Sequence, residues 1–244
     1  MDEKFLTARI DDLCELCDKT NAPKFLGFLS EKEAAIANKH LSGSKKAIVF
    51  YGGYEGALRT VLGVLPEGLS DVPFPITPLS FVFRKQDELA HRDFLGVITG
   101  LGIAREKIGD ILVQKGRAVV FADPSAAKFI LSQIDKVGRV GVTVREGFDQ
   151  PLPEASQKKE FSDTVASLRL DCVIAAICGL SRKEAIEHIE KEYVFVNSLV
   201  SDKITSRVKN GDIISVRKKG RFIIKSVDGV SKKGRTVLIY DKYI

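Results

Sequence analysis

The stretch from Ser167 to Val216 constrains the fold more than any other part of the chain, because two helix patterns lead directly into a series of short apolar runs. The first pattern places apolar side chains at helical spacing, which predicts a helix with one buried stripe. That stripe consists of Val165, Leu168, Cys172 and Ala175. Gly179 predicts the end of the helix, because glycine enters the left-handed cap conformation without strain.

A second short helix is predicted to begin at Ser181. The Ser181 hydroxyl can cap the helix, and Glu184 three residues later completes a capping box. Three apolar side chains share one side of this helix and predict its buried face. They are Ala185, Ile186 and Ile189. The apolar runs that follow, as far as Val216, predict a small sheet.

Basic residues stand at the starts of these two helices. Arg169 is predicted on the first helix, and Arg182 and Lys183 fall in the first turn of the second. The free N–H groups and the positive dipole end of a helix favour an anion, so a cation in this turn opposes the dipole. A bound phosphate would explain these residues. A solvated surface with ordinary lysines and arginines is the alternative explanation.

The same residues resemble the RNA-binding domain first seen in small-subunit ribosomal protein S-four, called the S-four domain below. Its pattern is a helix with R-L-D, a second helix that opens S-R-x-x-A, a strand V-x-V-N and then V-x-x-G-D-x-I. This chain supplies Arg169-Leu170-Asp171, Ser181-Arg182 with Ala185, Val194-Phe195-Val196-Asn197, and Val208 to Ile213. The family usually has Gly after the Asn, where this chain has Ser198, so the resemblance does not fix the turn type there.

Positive charge is concentrated in the same region. Residues 155–244 hold 18 lysines and arginines against 11 acidic residues, a net charge of +7, whereas residues 1–154 carry −1. Two further basic turns, residues 217–221 (R-K-K-G-R) and 231–235 (S-K-K-G-R), lie beside apolar runs that predict strands. Such an excess indicates a polyanionic partner for the C-terminal third of the chain.

Residues 1–75 are predicted to be mostly helical. Ser30 and Glu33 form another capping box, which opens a second helix after the first pattern is interrupted. Residues 14–17 have the C-x-x-C spacing of zinc or redox sites, but no second ligand pair accompanies them, and core packing is the better interpretation. The glycines of residues 52–56 lack the Lys of a phosphate-binding loop, and we interpret them as a tight turn.

Residues 76–148 follow the order strand, helix, strand, strand, helix, strand, which is that of the ferredoxin-like fold of RNA-recognition domains. The predicted strands are Ser80–Phe83, Asp110–Val113, Arg117–Phe121 and Val140–Val144, and the helices are His91–Gly100 and one that Asp123 caps with Pro124 in its first position. Aromatic residues for base stacking are sparse. Phe121 stands alone on the third strand, and core packing suits Phe81 and Phe83 better. This domain is expected to act as a scaffold or to touch RNA without reading its sequence.

A second resemblance lies in this middle region. His91-Arg92-Asp93 with Gly96, followed by G-L-G-I-A-R-E-K-I-G-D-I over residues 100–111, is similar to the central signature of the YlmH family of bacterial RNA-binding proteins. That resemblance implies an N-terminal helical region, a middle domain like an RNA-recognition motif and a C-terminal S-four domain. Arg92 and residues 105–107 would form a second basic surface. Glu106 and Asp110 instead predict a self-satisfied charge network, which is the interpretation we favour.

We therefore predict an α+β, multi-domain chain. Its parts are a mostly helical N-terminal domain (1–75), a ferredoxin-like, RRM-like domain (76–148), a linker (149–160) and an S-four-type RNA-binding domain with C-terminal strands (161–244). RNA contacts are predicted at the helix starts and the basic turns. They are Arg169, Ser181, Arg182, Lys183, Asn197, Lys209, Arg217, Lys218, Lys219, Arg221, Lys232, Lys233 and Arg235.

The function that these patterns favour is non-enzymatic binding of structured RNA. The resemblances imply ribosomal RNA on the ribosome or its large subunit, with tRNA as a second contact, in ribosome-associated quality control or assembly. The alternative is an RNA-modifying enzyme, of pseudouridine synthase or methyltransferase type, that its S-four domain directs to RNA. The catalytic Asp of a pseudouridine synthase would have to lie outside that domain, whereas the only R-L-D of the chain lies inside it. A methyltransferase needs a glycine-rich loop after its first strand, and residues 52–56 fit this requirement poorly. A module that recruits other factors through residues 1–75 is a third hypothesis.

The remaining features indicate the compartment. The chain has four cysteines, a start without the basic and apolar segments of a secretory signal, and no apolar run long enough to span a bilayer. We therefore expect a cytoplasmic protein with reduced thiols and no membrane partner. The sequence offers no convincing catalytic, metal or cofactor site, and it does not predict protein partners.

Overall fold

The structure is a computed structural model that describes residues 2–44, 46–70, 72–153, 158–230 and 235–243. Contacts divide the chain into two compact units, Met1–Ala155 and Ser156–Ile244. This division falls inside the predicted linker at 149–160, while the boundary between residues 75 and 76 stays a prediction. The α+β class predicted from the sequence is confirmed.

The first part of the N-terminal unit is a small sheet with two helices. Its elements are α1 (Glu3–Thr20), β1 (Lys24–Leu29), α2 (Glu31–His40), β2 (Ala47–Tyr51) and β3 (Thr60–Leu65), and the antiparallel sheet has the order β1-β3-β2. The capping box of Ser30 and Glu33 at the start of α2 is confirmed. The helical prediction missed β1, because the hydrogen-bond partner of this strand is β3, more than thirty residues later in the chain.

The second part of this unit is ferredoxin-like. Its elements are β4 (Thr77–Val82), α3 (His91–Gly100), β5 (Ile108–Gln114), β6 (Arg117–Ala122), α4 (Pro124–Gln133), β7 (Lys136–Val137), β8 (Val140–Gly141) and β9 (Thr143–Glu146), with a short 3-10 turn at Arg105–Lys107. The four-stranded antiparallel sheet has the order β5-β6-β4-β9, and Asp123 caps α4, as predicted. The last predicted strand is two strands, since β8 pairs with β7 and β9 alone enters this sheet.

Both faces of the four-stranded sheet are covered. One face packs on α3 and α4, with Phe81 and Phe94 in edge-to-face contact. The other face carries Phe121, which is fully buried in a cluster with Phe28 of β1. A Cβ added at Gly109 of β5 would lie 2.5 Å from the Phe28 ring, so glycine permits this close approach. The N-terminal region therefore occupies the sheet face that the helices leave open.

The C-terminal unit is a six-stranded antiparallel sheet with two short helices. Its elements are β10 (Lys158–Val165), α5 (Leu170–Cys178), α6 (Arg182–Glu190), β11 (Val194–Val196), β12 (Leu199–Val200), β13 (Ile213–Val216), β14 (Gly220–Val230) and β15 (Thr236–Tyr243). The strand order is β10-β15-β14-β13-β11-β12. The buried side chains of both helices form one core with Phe222, Leu238 and their neighbours in the sheet. The sheet thus holds α5 and α6 in fixed positions.

The first helix of this unit starts later than the sequence predicted. Arg169 is the N-cap residue of α5 and lies in extended backbone, and Val165 belongs to β10. The chain stays extended because the Leu170 N–H donates to the Ser206 carbonyl over 2.8 Å. The buried face consists of Leu170, Val173, Ile174 and Ile177, whereas Leu168, Cys172 and Ala175 of the predicted stripe are only partly buried. The predicted stripe is therefore wrong by one to two positions along the helix.

The remaining helix signals are confirmed. Gly179 ends α5 in the left-handed conformation, with a φ of 63°. Ser181 and Glu184 form the predicted capping box of α6. Ala185 and Ile189 are fully buried, while Ile186 is partly buried. In the described ranges, no helix is long and apolar enough to cross a membrane.

Candidate RNA-binding surface

A buried carboxylate links the starts of the two C-terminal helices. Asp171, in the first turn of α5, is fully buried. The Arg169 Nε donates to its Oδ1 over 3.1 Å, and the Arg182 Nε donates to its Oδ2 over 2.8 Å. Both guanidinium groups still reach solvent, with side chains 41% and 60% exposed. Asp171 therefore holds two arginines in place at the surface.

This arrangement explains why Arg182 is tolerated at a helix start. Burial of Asp171 disfavours its charged form, but the hydrogen bonds from Arg169 and Arg182 outweigh burial and hold the pKa of Asp171 below its usual value. The hydrogen bond to Asp171 also raises the pKa of Arg182. The sequence pattern predicts a bound phosphate as the partner of Arg182, whereas in the structure its partner within the chain is Asp171. Two arginines share one carboxylate, so the site keeps an excess of positive charge for a phosphate.

Arg207 is a further basic residue at this site that the list of predicted contacts omitted. Its backbone forms an isolated antiparallel bridge with Arg169. Two backbone hydrogen bonds lie on either side of this pair: the Leu170 N–H donates to the Ser206 carbonyl, and the Val208 N–H donates to the Leu168 carbonyl. Arg169 and Arg207 themselves exchange no hydrogen bond, which makes them a non-hydrogen-bonded pair of the antiparallel type. Side chains of such pairs lie close on the same face, at about 5 Å between their Cβ atoms. The pairing brings two positively charged side chains to one part of the surface, which favours a bound anion.

The turn at Asn197 and Ser198 is built from the protein's own hydrogen bonds. Both residues have positive φ angles, 50° and 66°, as a type I′ hairpin turn requires. The Asn197 amide donates to the Asp212 Oδ1 over 2.9 Å, and the Ile213 N–H donates to the Asn197 Oδ1 over 3.0 Å. The other oxygen of Asp212 accepts the Lys209 N–H over 2.7 Å. The Asn197 side chain thus braces the loop that presents the exposed Lys209.

The basic turn between β13 and β14 lies near the start of α6. Val216 pairs with Gly220, so the loop consists of three exposed residues, and Lys218 adopts a positive φ of 64°. The pKa of Glu184 is lowered mainly because its carboxylate accepts hydrogen bonds from Ser181, and the charge of Lys219 lowers it further. Lys219 is therefore close enough to act on the first turn of α6.

The other predicted contact residues differ in their surroundings. Ser181 is committed to the cap of α6, and Lys183 beside it is exposed.

The arginines of the basic turns contact other groups of the C-terminal unit. The Arg217 guanidinium lies 5.3 Å from the ring centre of Tyr193, and the Arg221 guanidinium lies 5.2 Å from that of Tyr243. Arg235 donates to the Thr164 carbonyl over 3.0 Å. Lys232 and Lys233 lie outside the described residues.

Arg105 and Asp110 of the middle signature belong to a hydrogen-bond network, whereas Arg92 is 90% exposed. The Asp110 carboxylate accepts the Tyr54 hydroxyl over 2.7 Å and the backbone N–H groups of Leu58 and Arg59. The Arg105 guanidinium donates to the Ile108 and Gly109 carbonyls, and burial, assisted by the charge of Arg59, lowers its pKa to about 10. These contacts join the ferredoxin-like part to the N-terminal region.

The covered face of the four-stranded sheet is the face on which RNA-recognition motifs stack RNA bases, so it is not accessible for that use here. Phe81, Phe83 and Phe121 are buried, which agrees with the core role predicted for the first two. The Tyr54 ring is stacked on Phe121 with 4.9 Å between the ring centres. A base cannot stack on Phe121 while Tyr54 holds this position. Any RNA contact of this domain must therefore use another surface.

The described residues contain no group of three or more His, Cys, Asp or Glu side chains that could hold a metal ion. Their chemistry is instead that of a polyanion-binding surface, with guanidinium and ammonium groups at two helix starts and at a hairpin turn. The fold and this surface together are those of an α+β RNA-binding protein with a basic C-terminal unit.

Comparison with known proteins supports this class. Residues 79–148 match the family described as "Putative RNA-binding domain in YlmH". The chain is 27% identical over 224 residues to the Ribosome-associated protein quality control protein P2 of Bacillus subtilis (strain 168). The aligned region covers 90% of this chain and 87% of that protein. The Cell division protein ylmH from Streptococcus pneumoniae has a similar fold, with a TM-score of 0.52 and 21% identity over 59% of this chain and 90% of that chain. The chain is therefore similar to proteins of the YlmH family, through its middle domain and through the Bacillus subtilis relative.

Proposed function

We propose that this protein binds structured ribosomal RNA through its C-terminal unit and acts in ribosome-associated quality control, without catalysing a reaction. The observation that carries the proposal is the pair of arginines, Arg169 and Arg182, that the buried Asp171 holds at two adjacent helix starts. Fixed cations of this kind suit the phosphates of a folded RNA better than they suit a sequence motif. Ribosome-associated quality control is proposed as the cellular process because the name of the Bacillus subtilis relative refers to it.

The proposed surface extends from this centre to exposed basic residues around it. They are Lys183, Arg207, Lys209, Arg217, Lys218 and Lys219. Ser181 and Asn197 support it by capping α6 and bracing the loop of Lys209. Arg221 and Arg235, as well as Lys232 and Lys233, belong to the wider proposed surface, and tRNA beside the ribosomal RNA is a proposed second contact. We place this activity in the cytoplasm.

An equilibrium binding experiment with ribosomal RNA tests the proposal. The variant K183A/K209A/K219A removes three exposed cations of the surface and leaves the partners of Asp171 untouched. Its matched control, K128A/K136A/R139A, removes three exposed cations of the N-terminal unit. Each lost phosphate contact should make the negative slope of log K against log salt less steep by about 0.7–0.9. We expect the slope of the first variant to be less steep by about 2–3 and the slope of the control to be unchanged.

Two outcomes would overturn the proposal. The first is wild-type affinity that does not change between low and moderate salt. The second is equal loss of affinity in the two triple variants, which would show binding by overall charge alone. The RNA-modifying alternative is tested separately by mass analysis of RNA from cells with and without the protein, in which loss of a specific modification would favour it.

A further inference from the structure

A cavity of about 350 Å³ opens in the C-terminal unit between the end of β10 and the outer side of α5. Small or apolar side chains form most of its wall. They are Val165, Ala166, Cys172, Ala175, Ala176 and Leu180. Cavities of this size accept small organic groups when a few polar groups fix the orientation of the ligand.

The outer side of α5 explains why this cavity is apolar. From Cys172 to Cys178 the helix carries only apolar residues, although half of it faces away from the sheet. A helix that is apolar all round is normally covered on every side. Cys172, Ala175 and Ala176 are only partly buried within their unit. Their surface is thus suited to a flat, apolar ligand that comes from outside the unit.

Two guanidinium groups give the cavity a positive rim. Arg182, which Asp171 holds in place, lines one part, and Arg235 lines another while it donates to the Thr164 carbonyl over 3.0 Å. Among the described residues of the lining, Asp163 is the one that carries a carboxylate, and this carboxylate accepts the Thr164 N–H over 3.0 Å. An apolar wall beside two fixed arginines complements a molecule with a flat ring and an anionic group.

We infer that the cavity receives one unpaired nucleotide of the bound RNA. The base lies against Ala175 and Ala176, and the phosphate lies at Arg182 and Arg235. Because Arg182 belongs to both the cavity and the proposed RNA surface, the nucleotide and the neighbouring phosphates come from one RNA. A folded RNA offers unstacked bases in its loops and bulges, and proteins bind such bases beside their contacts to the phosphates. This inference rests on the proposed function and names the part of the RNA that the surface accepts.

Ultraviolet cross-linking of the full chain to ribosomal RNA tests the inference directly. Cys172 lines the cavity, so digestion and mass analysis should find a nucleotide attached to the peptide that contains Cys172. The peptide with Cys14, which is partly buried in the other unit, is the control and should carry none. RNA binding without an adduct at Cys172 would overturn the inference and leave the proposed function standing. Absence of RNA binding would overturn the proposed function itself.

A variant pair gives a second, independent measurement. Ala176→Leu fills the cavity, and Ala176→Ser leaves its volume nearly unchanged. Loss of the base from the cavity returns its apolar surface to water, so Ala176→Leu should bind ribosomal RNA about fivefold more weakly. Ala176→Ser should bind as the wild type does. Wild-type affinity in a folded Ala176→Leu variant would overturn the inference. If this variant does not fold, the cross-link at Cys172 decides.

Discussion

The Asp171 carboxylate accepts a hydrogen bond from the Arg182 Nε over 2.8 Å, so a fully buried acid fixes an arginine whose side chain is 60% exposed. A second arginine, Arg169, approaches the same carboxylate from its own helix start. Asp171 thus links the fold of the C-terminal unit to the surface proposed to bind RNA.

Replacing Asp171 by Asn should weaken both the fold and RNA binding. The amide keeps the shape of the carboxyl but cannot accept charge-assisted hydrogen bonds on two oxygens, so we expect the free energy of unfolding to fall by about 2–3 kcal/mol. Chemical denaturation measures this change, and RNA titration of the folded variant measures the loss of affinity. Asp202→Asn, at an exposed position, is the matched control and should change stability by less than about 0.5 kcal/mol. Equal stability of the two variants would contradict the role given to Asp171.

The pH dependence of stability should reflect the lowered pKa of Asp171. A carboxyl whose pKa is lower in the folded state stabilises the fold fully above its unfolded pKa, which is about 3.9 for Asp. That contribution is lost as the pH falls through the folded pKa. The difference in unfolding free energy between wild type and Asp171→Asn should therefore be constant near pH 7 and should shrink below about pH 4. Urea titrations over this range measure it, and a difference that grows on acidification would refute the assignment.

Arg207→Ala should separate binding from stability. The substitution removes a like-charge neighbour of Arg169 and leaves the backbone bridge in place, so stability should stay equal or rise. The salt slope of RNA binding should fall by about 0.7–0.9 for the lost phosphate contact. Salt titrations and thermal unfolding of the same preparation measure both effects. A less stable variant with an unchanged slope would show that Arg207 has a structural role only.

Ser198→Gly should stabilise the C-terminal unit. Ser198 has a φ of 66°, and the left-handed conformation costs a residue with a side chain about 1–2 kcal/mol. Part of this gain is offset by the greater freedom of glycine in the unfolded chain, so we expect a net gain of up to about 1 kcal/mol. Ser201→Gly is the control, because Ser201 is absent from the positive-φ residues. It should destabilise the unit, and a similar loss in both variants would contradict the turn described for Asn197 and Ser198.

Phe121→Leu should lower stability without weakening RNA binding. Phe121 is buried under Tyr54 and Phe28 on the covered face of the sheet, so the smaller side chain leaves a gap that costs about 1–3 kcal/mol. Thermal unfolding should show this loss, whereas the affinity for ribosomal RNA should stay within twofold of the wild type. A large loss of affinity in the folded variant would mean that the sheet face binds bases after all.

The sequence predicts those features of the fold that depend on neighbouring residues. The capping boxes at Ser30 and Ser181 and the end of α5 at Gly179 were all predicted, because their hydrogen bonds and backbone conformations are local. The strand β1 and the late start of α5 were not, because both depend on partners far along the chain, in β3 and at Ser206.

The candidate site divides in the same way. Arg169 and Arg182 are recognisable from the motif, but their shared partner Asp171 is visible only once the two helices are packed. Arg207 lies within the same motif, in the run S-R-V-K-N-G-D. Its position opposite Arg169 depends on a backbone bridge of one residue pair, for which local patterns give no signal. A basic residue next to the V-x-x-G-D pattern is the feature that would have pointed to it.

The contact between Phe28 and Gly109 has a consequence for how this protein can change during evolution. A side chain at position 109 would collide with the ring, and a smaller residue at position 28 would leave a hole above the sheet. Each position therefore restricts the residues that the other can accept. Although 81 positions separate them in the sequence, we expect them to vary as a pair among relatives. If the N-terminal region of this protein were replaced by that of a relative, it would fit only when the residue at position 109 came from the same relative.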